Sequence, residues 1–407
     1  RYRSRDTEYP FRQDSDFYYL TGFEEPEALL VLAPGRAHGE VVMFCSERDE
    51  RSEQYTGERL GPERASQVLG LDDAFPISDV EDILPGMLEG REQICVTLGE
   101  YPDFDRRLLE WVAGIRAREA GGAVPPGEFL ALKHLLHEQR LYKSAAEVRL
   151  MSRAAEITTR AHERAMRACR PQMTETQLEG ELIYEFMQGG ARTPAYSCIV
   201  GGGANACVMH YVKNDAVLRD GDLVLIDAGC EYQHYASDVT RTFPVNGRFS
   251  PRQRDLYEVV LNAQRAGIDA AQPGADFNAP HDAATRIMAE GLVELGILDD
   301  DVDAIMRSES YRRFTVHKCS HWLGIDVHDV GDYRIDGTWR MLEAGMVITV
   351  EPGIYIPDSE LMDDVPKRWR GMGIRIEDDV LIEKAGNRVL TQAAAKEPDE
   401  IEALMGR

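Results

Sequence analysis

Leu223-Val224-Leu225-Ile226-Asp227-Ala228-Gly229 decides the reading of this chain, together with Ser237-Asp238-Val239-Thr240-Arg241-Thr242-Phe243 just downstream. An apolar run of strand length ends in a carboxylate and then Ala-Gly. A β-rich run follows and supplies a second carboxylate. A carboxylate at the end of a buried run is costly unless something pairs with it. Taken singly, each aspartate is a turn former. The pair rises above that reading because the C-terminal third carries further acids of the same kind.

The next of these lies in Met346-Val347-Ile348-Thr349-Val350-Glu351-Pro352-Gly353, another apolar strand delivering an acid before a Pro-Gly stop. Gly373-Ile374-Arg375-Ile376-Glu377-Asp378-Asp379-Val380 alternates, which predicts Arg375 and Glu377 on one strand face and Ile374 and Ile376 on the other. Between the two halves runs His317-Lys318-Cys319-Ser320-His321-Trp322-Leu323-Gly324-Ile325-Asp326-Val327-His328-Asp329. It holds three of the chain's 10 histidines. Four strands can therefore aim Asp227, Asp238, Glu351 and Glu377 at one place, with His321 beside them. Four carboxylates do not share a dry site unneutralised. Two divalent cations match their charge and leave room for one bridging hydroxide. Carboxylates with a single imidazole suit a hard-to-borderline ion such as Mn²⁺. Such a pair makes a nucleophile at neutral pH and polarises a carbonyl.

Outward from this centre, the 407 residues allow two domains. A hydrophobic fraction of 43% and a charged fraction of 29% describe an ordinary globular chain. The net charge of −25 repels phosphate backbones, and no basic patch offsets it, which excludes nucleic acid as a partner. No run approaches the length of a membrane span, and no leader pattern is present. The 7 cysteines are scattered without a C-x-x-C pair, which argues for a reducing cytoplasm over a disulfide framework or thiolate zinc site. The sequence opens on Arg1 rather than Met, from which we expect a missing N-terminal segment.

Residues 1–140 read as a small mixed α/β unit. Strands are expected at Ala28–Leu32 and Val41–Cys45, and helices at Arg106–Arg118 and Phe129–Gln139. An Ala-Gly-Gly-Ala-Val-Pro-Pro-Gly break separates the helices, and Glu47–Arg59 is a solvated, highly charged face. Residues 141–407 read as an α+β domain. Ser144-x-x-Glu147 opens a long helix to about Cys169, and Thr174-x-x-Gln177 a second one ending at Gly189-Gly190. Ser250-Pro251-x-Gln253 opens a third, and Pro280–Leu295 forms a fourth. Strands are expected at Ser197–Val200, Leu223–Ile226, Val239–Phe243, Val347–Val350 and Ile374–Ile382. Two helix pairs, each with its own strands, point to an internally duplicated domain. Gly201-Gly202-Gly203 lacks the lysine and helix start of a phosphate cradle and is expected to be a flexible active-site loop.

The stretch Ser320-His321-Trp322-Leu323-Gly324-Ile325-Asp326-Val327-His328-Asp329-Val330-Gly331 closely resembles the signature of the Xaa-Pro aminopeptidases (aminopeptidase P). These belong to the metallopeptidase family that includes prolidase and methionine aminopeptidase. Asp227–Tyr232, Asp238–Pro244, Glu351-Pro352-Gly353 and Arg375–Asp379 also fit it, and Tyr9–Phe23 resembles that group's opening. The resemblance covers essentially the whole chain. It implies a creatinase-like N-terminal domain followed by a pita-bread α+β catalytic domain. It further implies metal ligands Asp227, Asp238, His321, Glu351 and Glu377, with Asp238 and Glu377 bridging two Mn²⁺ ions. The bridging hydroxide would attack the carbonyl before proline.

By the same resemblance His210 and His328 hold substrate and stabilise the tetrahedral intermediate, and His317 lines the pocket. Glu351 also shuttles the proton, while Arg375 serves the substrate site and steadies the ligand carboxylates. Tyr55 falls where relatives carry an aromatic near the active site, against a plain surface reading. Peptides with proline second are the implied substrates, and a dimer or tetramer the implied assembly. The rivals are an Xaa-Pro dipeptidase with the same metals, and a metal-free creatinase-type hydrolase or binding module. The intact five-ligand set speaks against the metal-free rivals. One departure stands out: Lys318 occupies a position where relatives usually have Gly. Its cationic side chain needs room or a carboxylate partner.

Overall fold

Apolar alternation and turn residues give the N-terminal unit its sheets. The computed structural model describes residues 3–406, so Arg1, where the sequence opens, lies outside the described residues. Val41–Cys45 pairs antiparallel with Leu29–Leu32 and parallel with Asp73–Pro76. A core of Val42, Phe44, Leu84, Leu108, Trp111 and Ile115 covers that sheet. The expected helix at Arg106–Arg118 starts earlier, as Pro102–Arg116, because Pro102 fits the first helical turn. The expected helix at Phe129–Gln139 is a correction. Glu128–Ala131 is a strand paired in parallel with Gln93–Val96, and the helix begins only at Leu132. Glu47–Arg59 is exposed as expected: its helix Glu50–Thr56 buries nothing, and Tyr55 is 83% exposed.

The chain divides into two compact units between His137 and Glu138, within the helix Leu132–Leu141, rather than at residue 140. In the second unit the capping boxes act as read. Ser144 and Glu147 open α1 (Ala145–Ala168), and Thr174 and Gln177 open α2 (Glu175–Gly189). The latter ends on Gly190 in the left-handed region, at φ 93. Pro251 starts α3 (Pro251–Ala270), and α4 spans Ala279–Glu294. Helices α1 and α2 pack on each other, as do α3 and α4.

Each helix pair accompanies a three-stranded antiparallel sheet. The first comprises β1 (Ile199–Gly202), β2 (Leu223–Asp227) and β3 (Thr240–Pro244), with β2 central. The second comprises β4 (Val347–Val350), β7 (Asp378–Ile382) and β8 (Asn387–Val389). Between β4 and β7 in sequence lie β5 (Gly353–Ile356) and β6 (Met372–Arg375), which pair with each other. One large apolar core joins the inner faces of α1 to α4 to β1, β2 and β6, through residues such as Phe186, Val224, Ile226, Tyr257, Met288 and Ile374. A second core gathers Trp322, Ile348, Val350, Val380 and Phe277. Each large apolar side chain taken fully from water contributes roughly 1.5–3 kcal/mol.

Two expectations are corrected here. Ile374–Ile382 is not one strand, because the chain leaves the ladder at Ile376-Glu377 and changes sheets. The partner strand breaks at the same level, at Glu351-Pro352, where proline has no N–H to give. Glu351 and Glu377 thus sit at matched breaks in paired strands. Nor is Gly201-Gly202-Gly203 a flexible loop. Gly201 and Gly202 belong to β1, where added Cβ atoms would come within 2.9 Å of Asn205 and 2.6 Å of Leu218.

Candidate metal centre

The cage is built from strand ends. Asp227 closes β2 directly opposite Thr240 of β3. Asp238 stands two residues before Thr240 and so shares its face. Gly229 makes this approach possible: a Cβ there would lie 1.7 Å from the Ser237 carbonyl oxygen. His321 runs alongside β4. Its carbonyl accepts from Thr349 N–H at 3.0 Å, and its own N–H donates to Thr349 Oγ1 at 3.1 Å.

These placements bring ligand atoms of Asp238, His321 and Glu377 within 4.8 Å of one another. His321 Nδ1 donates to the Trp322 carbonyl at 2.9 Å, which turns Nε2 into the cage. That nitrogen stands 3.4 Å from Asp238 Oδ2 and 3.6 Å from Glu351 Oε1. Tyr196, which sequence reasoning missed, joins Asp227 to the group. Its hydroxyl contacts Asp227 Oδ1 at 2.7 Å and also Asp238 Oδ1. All five predicted ligands therefore surround one space.

The electrostatics show what this space lacks. Two buried carboxylates, Asp238 and Glu377, and two partly buried ones, Asp227 and Glu351, lie around one guanidinium, that of Arg375. Burial and the neighbouring acids push Glu377 well above the usual carboxylate range, and burial raises Glu351 to about 7. Burial also raises Asp227, despite Arg375 beside it. Burial opposes ionisation of Asp238 as well, but His321, Tyr196 and Arg375 overcome it and hold Asp238 low. For His321 burial disfavours the charged ring, yet Asp238 and Glu351 raise it to about 9. A proton on His321 thus stands in for part of the missing positive charge. Oxygen donors plus one imidazole fit hard-to-borderline divalent ions, and the excess of negative charge fits more than one of them.

The surrounding residues hold the ligands. Arg375 is buried, with Nη2 on Asp227 Oδ2, Nη1 on the Tyr355 hydroxyl at 2.8 Å and Nε on Thr240 Oγ1 at 3.0 Å. Its donors thus serve the cage wall. His317 Nδ1 donates to the Lys318 carbonyl at 2.9 Å, and the Tyr355 hydroxyl donates to Nε2 at 2.9 Å. Burial lowers that ring to about 4, so it is neutral. His328 packs edge-on against His321 with ring centroids 4.4 Å apart, and burial followed by the His321 charge lowers its pKa. The loop bearing His328 is pinned by buried Asp329, which accepts from Lys143 Nζ at 2.9 Å and Arg140 Nη2 at 2.5 Å. His210 is exposed, on the segment between β1 and β2. Lys318 finds no carboxylate: its Nζ donates to Asn278 Oδ1 at 3.2 Å and lies 5.7 Å from the Trp339 ring centre.

Sequence reasoning missed Tyr196, Tyr355, the hydroxyl of Thr240 and the carboxylate of Asp379. Asp379 accepts from Ser237 Oγ at 2.7 Å and from the Asp238 N–H at 3.1 Å. For Asp379 there was a signal, since it follows Glu377-Asp378 on an apolar strand. For Tyr196 there was none.

A strand-end cage of acids with one inward imidazole defines a metal-dependent hydrolase. Comparison with known proteins agrees. The family model for metallopeptidase family M24 matches residues 149–384, and that for the aminopeptidase P N-terminal domain matches residues 1–96. The Xaa-Pro aminopeptidase of Escherichia coli is 47% identical, over 99% of this chain and 91% of its own length. The structure of the Pseudomonas aeruginosa aminopeptidase PepP superposes with a TM-score of 0.97 at 56% identity, covering 99% of this chain and 91% of that one. Proline aminopeptidase P II from Yersinia pestis gives 0.94 at 48% identity, covering 99% and 92%. The chain belongs to metallopeptidase family M24. It is a peptidase with the two-domain build of the aminopeptidase P group. Among the described residues no helix is long and apolar enough to cross a membrane.

Proposed function

We propose that this enzyme is an Xaa-Pro aminopeptidase, releasing the N-terminal residue of peptides whose second residue is proline. The observation that carries the reading is the convergence of Asp238, His321 and Glu377, with Asp227 and Glu351 at the edge of the same space. The residues fit two divalent ions, which we take to be Mn²⁺. Asp227, Asp238, His321, Glu351 and Glu377 would hold them. Bound there, the ions supply Lewis acidity that activates a water as nucleophile and polarises the scissile carbonyl.

The protein's own part is positioning and proton transfer. Arg375 fixes Asp227, and Thr240 fixes Glu377. Glu351 takes the proton of the attacking water and returns it to the departing proline nitrogen. His328 and His210 would offer ring N–H groups to the carbonyl oxygen as it gains negative charge. His317, neutral and held by Tyr355, lines the pocket wall. All 7 cysteines are free thiols, in keeping with a cytoplasmic protein. A dimer or tetramer completes the reading, and light scattering on a sizing column tests it: a monomer at micromolar concentration would sink that part.

The deciding experiment compares hydrolysis of an Xaa-Pro-Xaa tripeptide with that of an Xaa-Pro dipeptide by metal-loaded protein. Cleavage of the tripeptide is expected, and cleavage of the dipeptide alone would make the enzyme a dipeptidase. Metal analysis accompanies it. Trace metal only, with no gain in activity on adding Mn²⁺, would remove the di-metal reading.

A further inference from the structure

Away from the cage lies a carboxylate for which the chemistry above has no use. Glu175 opens α2 and is completely buried, yet no cation pairs with it among the described residues. Its charge is met by neutral donors. Oε1 accepts from the Gly202 N–H at 2.8 Å and from Asn205 Nδ2 at 2.9 Å. Oε2 accepts from the Tyr211 hydroxyl at 2.8 Å and from the Ala216 N–H at 2.9 Å. Every one of these partners can donate, which suits a carboxylate acceptor in the first turn of a helix.

The four partners are not scattered. All four lie within one segment, residues 202–216, that leaves β1 and carries His210. Tyr211, gripped through its hydroxyl, is the residue next to His210 in the chain. The backbone reinforces the clasp, since the Glu175 N–H donates to the Ala216 carbonyl at 2.9 Å. Asn214 helps from the same side. It has φ 47, and its amide accepts from the Val200 N–H at 3.0 Å and donates to the Cys198 carbonyl at 2.9 Å. Cys207, Met209 and Tyr211 pack against the cluster of Ile199, Ala206, Leu225 and Tyr355, and the Tyr355 hydroxyl meets both His317 and Arg375. One buried carboxylate therefore fixes the loop that carries the exposed His210.

We propose that Glu175 is a positioning residue of the peptidase reaction, acting through the 202–216 loop to hold His210 in place. The proposal rests on the substrate-side role given to His210 above. Four hydrogen bonds converging on one buried carboxylate hold the loop at four points. Removing the charge converts half of these bonds into mismatched contacts, since an amide N–H would face a donor. The loop then loosens while the cage stays intact.

The test uses the metal-loaded full chain with an Xaa-Pro-Xaa tripeptide. Glu175→Gln is expected to lower kcat/KM about 10- to 100-fold, as loss of outer supporting contacts does, while metal content per chain stays at the parent value. Backbone hydrogen exchange should quicken over residues 203–216 and not in β2 or α1. On a His210→Ala background the same change should cost less than about 2-fold, because the loop no longer presents the ring. Tyr211→Phe removes a single donor and should move exchange and rate the same way by less; it decides the matter if Glu175→Gln does not fold. Additive losses on the His210→Ala background, or unchanged loop exchange, would overturn the proposal while leaving the role of His210 standing. Full activity of His210→Ala would overturn both together.

Discussion

Thr240 and Glu377 hold each other twice: the Thr240 hydroxyl donates to Glu377 Oε2 at 2.6 Å, and the Glu377 N–H donates to the Thr240 carbonyl at 3.1 Å. The second bond captures the N–H that Glu377 takes out of its own ladder where the strand breaks. The first fixes the rotation of the Glu377 carboxylate. Since Thr240 Oγ1 also accepts from Arg375 Nε, one hydroxyl ties two halves of the cage together.

Replacing that hydroxyl by a methyl group isolates its effect. Thr240→Val keeps shape and β preference but leaves Glu377 Oε2 and Arg375 Nε without a partner in a buried setting. Each orphaned group costs about 1–3 kcal/mol. We expect metal affinity to fall about 10- to 100-fold, read by competition with a chelating dye. Activity should return at high Mn²⁺. Native affinity in Thr240→Val would show that Glu377 is positioned by something else.

Much of this arrangement was legible in the sequence, for a physical reason. Strand ends are marked by punctuation residues, so Asp227-Ala228-Gly229 and Glu351-Pro352-Gly353 announced acids at strand ends without any structure. Capping boxes at Ser144 and Thr174 likewise depend on residues three apart and survive any tertiary context. What failed was register. Ile374–Ile382 alternates without interruption, so the sheet switch at Ile376-Glu377 has no local mark. Phe129 and Leu130 fit a helix face as well as a strand, and only pairing with Gln93–Val96 decides. Tyr196 and Glu175 are single polar residues whose partners lie on other elements, and no spacing rule reaches them.

A ligand shared by two ions is less replaceable than one that serves a single ion. Asp238→Ala removes a carboxylate held by Tyr196 and His321, and it leaves His321 without its closest acid. We expect metal content below one ion per chain and kcat/KM reduced by more than about 1,000-fold, the scale seen when electrostatic stabilisation of a transition state is lost. The fold should persist, since the two apolar cores do not include Asp238. Two bound ions and near-native turnover in this variant would make the ligand assignment wrong.

Metal-free protein should lose stability as pH rises. Glu351 and Glu377 have raised carboxyl pKa values in the fold, Glu351 at about 7, so between the ordinary carboxylate range and that value the folded state holds protons that the unfolded chain has released. His321, raised to about 9, acts in the same direction at higher pH: its contribution is complete below the ordinary imidazole range and disappears as pH climbs through 9. Asp238, held low, affects only acid conditions. His317 and His328, held low by burial, oppose this trend only up to the ordinary imidazole range, so stripped protein should melt progressively lower from about pH 7 to about pH 9. Metal binding requires the deprotonated carboxylates, so affinity should rise over the same interval and protons be released on loading. Paired melting curves with and without Mn²⁺ should diverge with pH. A stripped protein that grows more stable from about pH 7 to about pH 9 would contradict the assigned shifts.

Lys318 stands next to His317 yet should matter little to the chemistry. Its backbone is not among the residues at positive φ, so a side chain costs no strain where glycine is the usual occupant. The ammonium is exposed and settles on the Asn278 amide near the Trp339 ring, without any carboxylate of the cage. An exposed cation over an aromatic face contributes about 0.5–1 kcal/mol, and a new glycine adds roughly 0.5–1 kcal/mol of backbone entropy cost. Lys318→Gly should accordingly lower stability by about 1–2 kcal/mol. It should leave metal content unchanged and kcat/KM for an Xaa-Pro-Xaa tripeptide within about 3-fold, since under 0.7 kcal/mol separates such rates. The result to look for against this is a change of 10-fold or more in kcat/KM with metal content unaltered, which would mean that the charge reaches the substrate through His317.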